Sequence, residues 1–171
     1  MRTHTVRGGD GVSLHVAETG DPDGRPILFV HGYSQSHRSW TRQFESSLAD
    51  EFRLVAPDNR GHGLSEKPRG GYDRPDLWAA ALRAVVETLD LDDVVLDGWS
   101  YAGLIVLDYL ASHGTDQVAG VNLVSAISKM GTEAATALLD PGYVDLLPRL
   151  GSDDAEESVA ALVEFLRRCV H

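Results

Sequence analysis

The sequence predicts an α/β fold with a mostly parallel sheet, and three observations carry that prediction. Apolar runs at Ile27–Val30, Phe52–Ala56, Val94–Leu96 and Val118–Val124 have the length of strands covered on both faces. Between them, apolar residues recur at helical spacing, as in Trp78, Leu82, Val85, Val86 and Leu89. Small residues gather where strand gives way to helix, above all in Gly98-Trp-Ser-Tyr-Ala-Gly103. Strand and helix alternating in this way require a sheet with helices on both faces.

Length and composition set the outer bounds. A chain of 171 residues with 43% hydrophobic content supports one core, and no apolar run approaches the roughly 20 residues of a membrane span. The N-terminus, Met1-Arg-Thr-His-Thr-Val-Arg7, carries no leader-like apolar stretch, so the expected location is cytoplasmic, away from the membrane. Cys169 is the single cysteine, which excludes an internal disulfide and leaves no cysteine pair for a metal. The formal net charge is −11 and no basic stripe with interleaved aromatics occurs, which argues against a nucleic-acid partner.

In chain order, Thr3–Val6 and Val12–Ala17 flank Gly8-Gly-Asp-Gly11 and read as a β-hairpin, with His4 and His15 expected at its surface. Ile27–Val30 reads as a central strand that stops at His31-Gly32. Trp40, Phe44 and Leu48 recur every four residues and predict one helical stripe, followed by the strand Phe52–Ala56. Asp73 and Pro75 mark the start of the next helix. A third helix after Ser100 closes at His113-Gly114, and Val118–Val124 is the sixth strand. Residues 1–127 are therefore expected as the sheet-bearing core. Residues 128–171 contain helical patterns at Thr132–Leu139 and Glu156–Arg168 with no further strand, and are expected as the start of a helical cap.

The turn around Ser100 is the candidate for chemistry. A serine between a strand and a helix stands clear of the backbone, and the helix's first amides lie at the positive end of its dipole, where an oxyanion is favoured. A βα turn that merely contains serine is the plain alternative. His37 and His113 read as ordinary helix residues. Asp97, inside the serine strand, requires a partner, a water or an exposed position, because an unpaired buried carboxylate costs several kcal/mol.

Three segments together resemble the α/β-hydrolase family, nearest its small esterase and cofactor-free haloperoxidase branch. They are His31-Gly-Tyr-Ser-Gln-Ser36, Asp58-x-Arg60-Gly61-x-Gly63-x-Ser65 and Gly98-x-Ser100-x-Ala102-Gly103, in the family's order, over nearly all of residues 1–128. The resemblance covers the N-terminal two-thirds of such a protein, an incomplete α/β-hydrolase fold of about six strands with the start of a cap. It implies Ser100 as nucleophile, backbone N–H groups of Tyr33 and Tyr101 as the oxyanion hole, and Gly32, Ser34 and Trp99 beside a pocket for a small ester-like substrate. It gives His31 and His62 structural roles, and it implies no metal or organic cofactor. The family's triad acid and histidine follow later strands, and neither is found in this chain.

Three departures accompany the resemblance: Ala102 replaces the second glycine of Gly-x-Ser-x-Gly, Asp97 stands where relatives usually carry an aliphatic residue, and Ala81 stands on the preceding helix where relatives often carry Asp. The rival reading is a non-catalytic remnant or subunit that pairs through the open edge of its sixth strand. A dinucleotide-binding fold lacks its Gly-x-Gly-x-x-Gly, and a dehalogenase would need aspartate at position 100.

Overall fold

The computed structural model describes residues 1–169; residues 170 and 171, the end of the expected cap, lie outside the described residues. Its strands are β1 (Arg2–Arg7), β2 (Ser13–Gly20), β3 (Arg25–Val30), β4 (Phe52–Pro57), β5 (Val94–Trp99) and β6 (Val118–Val124). They form one six-stranded sheet in the order β1-β2-β4-β3-β5-β6. The N-terminal hairpin is antiparallel and joins the sheet through β2 and β4, while β4, β3, β5 and β6 run parallel. This is the six-stranded, mostly parallel sheet expected.

Side-chain alternation along β3 explains its central place. Leu28 and Val30 face Val55, Val94 and Leu96 in a cluster closed by two helices, α2 (Pro75–Thr88) and α3 (Ala102–His113). Trp78, Leu82, Val85 and Val86 of α2 and Ile105, Val106 and Tyr109 of α3 supply its other wall. Phe29 points to the opposite face and packs with Leu54, Ala56 and Trp40, its ring 4.9 Å from that of Trp40. Pro75 opens α2 at its first turn, where the missing N–H costs nothing. Gly114 ends α3, donating to the carbonyl of Leu110 at 3.0 Å.

The expected single helix through Trp40, Phe44 and Leu48 is instead broken into a 3-10 turn at His37–Trp40, the four-residue α1 (Thr41–Phe44) and a second 3-10 turn at Ser47–Asp50. Serine caps divide it. Ser36 Oγ accepts from Arg38 N–H, and Ser46 Oγ accepts from Leu48 N–H while donating to Gln43 O. Trp40 is buried, but Leu48 is exposed.

The chain's contacts divide it into two units, the first ending at Ser128. The second, described by itself, contains α4 (Glu133–Thr136), α5 (Pro141–Val144), α6 (Leu147–Leu150) and α7 (Ala155–Cys169). The helix expected over Thr132–Leu139 is only the short α4, capped by Thr132. Within this unit Arg149 on α6 donates to Glu164 on α7 at 3.1 Å, and the rings of Tyr143 and Phe165 lie 5.7 Å apart. In the first unit β6 is an open sheet edge, with Val121, Leu123 and Val124 about two-fifths exposed (42%, 41% and 39%). No helix among the described residues is long and apolar enough to cross a membrane.

Candidate active site

Ser100 sits between the end of β5 and the start of α3 with a φ of +57°, in the left-handed region. That conformation costs a serine on the order of 1 kcal/mol or more, and the surrounding backbone over-determines it. Ser100 N–H donates to Val124 O at 3.0 Å, and Ser100 O accepts from Gly103 N–H at 3.0 Å and Ile127 N–H at 2.9 Å. A methyl group at Gly103 would lie 2.6 Å from Ile127 O, so the chain after β6 is seated directly on the turn. A methyl group at Gly32 would lie 3.1 Å from Ser100 Cβ and 3.6 Å from its Oγ. The His31–Ser36 loop and the serine side chain are therefore in contact.

The other candidates take their places around this pair. Tyr101 is the residue before α3, at the end of the helix whose first amides have no intrahelical acceptor. Its ring lies 6.4 Å from that of Tyr33, and burial, with Asp108 and Tyr33 nearby, pushes its phenol pKa up. Tyr33 is partly exposed and Ser34 is half-buried at a φ of +57°. Trp99 is half-buried, its ring edge-to-face with Trp40 at 6.1 Å on the Phe29 side of the sheet.

His31 is fully buried and its two nitrogens are spoken for. Nε2 accepts from Asn59 N–H at 2.9 Å, which fixes the neutral tautomer with the proton on Nδ1, donated to Gly32 O at 2.8 Å. Burial, reinforced by His62 and His37, lowers its pKa to about 4. Asn59 Nδ2 donates to His31 O at 3.0 Å, so the loop beside Ser100 is held from both sides. Its supporting loop is equally fixed: Ser65 Oγ donates to Asp58 O, Leu64 N–H donates to Asp58 Oδ2, and buried Arg60 bonds Asp10 and Gly70 O.

Three histidines differ from the sequence reading. His37 is not an ordinary helix residue: its N–H and its Nδ1 both meet Asp58 Oδ1, at 2.7 and 2.9 Å. Although burial acts to raise the Asp58 pKa, Leu64 N–H, His37 N–H and the His37 ring hold it below the usual carboxylate range. His15 is half-buried rather than a surface residue, its ring 5.0 Å from that of His37. His4 is likewise half-buried and pairs with buried Glu18, while His62 Nδ1 meets Arg60 O and His113 meets Arg83. None of these described histidines hydrogen-bonds Ser100. Asp97 has the partner its burial requires, accepting from Asn122 Nδ2 at 2.6 Å, and desolvation nevertheless raises its pKa.

The α/β hydrolase fold family model matches residues 25–168. The chain belongs to this family. Among relatives of this α/β-hydrolase, it is 33% identical over 90% of its length to an AB hydrolase superfamily protein of Bacillus subtilis, and 36% identical over 77% to a non-heme chloroperoxidase of Streptomyces lividans. It spans 54% and 48% of those proteins, about half their length. An esterase structure from Rhodococcus superposes on 96% of the chain with a TM-score of 0.87 and 37% identity, the chain covering 60% of it. Esterases and haloperoxidases are thus among its sequence and structural relatives.

Proposed function

We propose that Ser100 is the nucleophile of a serine hydrolase acting on small ester-like carbonyl substrates. The contact of Gly32 with the Ser100 side chain, at a turn held in the left-handed region, is the observation that carries this reading. Ser100 Oγ would add to the substrate carbonyl, and amides of Tyr33 and Tyr101 would receive the oxyanion; one such donor is worth on the order of 3 kcal/mol. Collapse of that adduct expels the alcohol and leaves an acyl-Ser100, which water hydrolyses. Gly32, Ser34 and Trp99 would border the substrate, and residues 128–171 would begin a cap. No described histidine hydrogen-bonds Ser100, so the base and the acid are not assigned among the described residues. Hydrolysis of a p-nitrophenyl ester by a form extended to the length of its relatives, abolished in Ser100→Ala, tests the reading; equal turnover by the variant overturns it.

The exposed apolar edge of β6 favours a second reading, in which this chain is a non-catalytic piece that self-associates edge to edge. Size-exclusion chromatography beside the ester assay separates the two. A monomer with turnover contradicts the second reading.

A further inference from the structure

We propose that His15, His37 and Asp58 form a binding site for a borderline divalent cation such as zinc(II), distinct from the Ser100 turn. The three residues each offer one donor atom, and those atoms all lie within 4.8 Å of one another. Two imidazoles and one carboxylate are a donor set suited to zinc, nickel or copper rather than to magnesium or calcium. In a tetrahedral zinc site with bonds of about 2.1 Å, neighbouring donors sit roughly 3.4 Å apart. His37 Nδ1 and Asp58 Oδ1, at 2.9 Å, are already at that scale, and the His15 donor lies within 4.8 Å of both.

The backbone holds these positions without help from the imidazoles. Asp58 N–H donates to His15 O at 2.8 Å, His37 N–H donates to Asp58 Oδ1 at 2.7 Å, and Leu64 N–H donates to Asp58 Oδ2 at 2.8 Å. Such outer hydrogen bonds orient a coordinating carboxylate. His15 N–H in turn donates to Ser65 Oγ, which ties β2 to the loop after β4. His15 is half-buried and the His37 side chain keeps 11% of its surface exposed, so the ion would reach the buried Asp58 carboxylate from the imidazole side. The role this geometry fits is structural: the cation joins β2, the loop after β4 and the segment five residues beyond Gly32.

Titration of the metal-stripped 171-residue chain with zinc chloride, followed calorimetrically and by thermal melting, tests the proposal. One equivalent is expected to bind, and a metal concentration of 100 times Kd raises the folded-to-unfolded ratio about 100-fold. His15→Gln and His37→Gln are each expected to weaken binding about tenfold or more, whereas His4→Gln leaves it unchanged. Melting with chelator present shows whether each variant is folded. Cobalt(II) gives an independent readout, through visible bands that disappear in the His15→Gln, His37→Gln double variant. No stoichiometric uptake by the native chain, or uptake unaltered in the folded double variant, overturns the site and leaves a hydrogen-bonded cluster only.

Discussion

The neutral state of His31 makes stability depend on pH in a defined window. In the unfolded chain this histidine takes a proton below its ordinary pKa of 6.5; in the native chain it does so only below about 4. Between those limits the unfolded state binds more protons, so stability rises with pH. The contribution is complete above 6.5 and is lost as pH falls towards 4, a total of about 3 kcal/mol. Protonation would set an Nε2–H against the Asn59 N–H, two donors facing each other inside the protein. His31→Gln keeps an acceptor for Asn59 but not the bond to Gly32 O, and is expected to cost about 1–2 kcal/mol at neutral pH. Because glutamine does not titrate, its disadvantage should shrink by about 2–3 kcal/mol, or reverse, near pH 4.5. Urea unfolding of both proteins at the two pH values measures this. Parallel stability profiles would refute the neutral tautomer and the loop scaffold built on it.

Other consequences are simpler to state. Gly103→Val must push away the carbonyl of Ile127, and is expected to cost about 2–3 kcal/mol in denaturant unfolding; an unchanged midpoint contradicts the close seating of that segment. Asp97 has a raised native pKa, so its stability contribution falls as pH rises above the unfolded value of 3.8. Asp97→Asn is accordingly expected to unfold at higher urea than the parent at neutral pH, with the advantage vanishing in acid. If the β6 edge pairs with a second copy, Leu123→Lys abolishes concentration-dependent association in size-exclusion chromatography, and association of the variant equal to the parent's counts against that pairing.

The sheet was legible because its information is local. Four-residue apolar runs such as Ile27–Val30 mark buried strands, and the small residues around Ser100 mark a sharp strand-to-helix turn. The contact between Gly32 and Ser100 follows once β3 and β5 are neighbours, with Val30 opposite Gly98. The break in the helix after Trp40 was not legible from periodicity: apolar spacing says which face is buried, whereas the Ser36 and Ser46 hydroxyls decide where the turns start and stop. The His15–His37–Asp58 cluster was hidden for a different reason. These residues lie far apart in the chain, and pairing of β2 with β4, which sets Val16 opposite Pro57, brings the first to the last. No motif spacing encodes that meeting. Asp97 lies between these cases: its need for a partner followed from burial alone, but Asn122 was identifiable only through the register of β5 and β6.

The claim that Ser100 is a presented nucleophile is tested most directly by its reaction with a fluorophosphonate, in a form extended to the length of its relatives. Peptide mapping is predicted to place one phosphonyl group on Ser100, with much weaker labelling of the 171-residue chain and none at that position in Ser100→Ala. Equal labelling of Ser100→Ala, or modification confined to another residue, would contradict it.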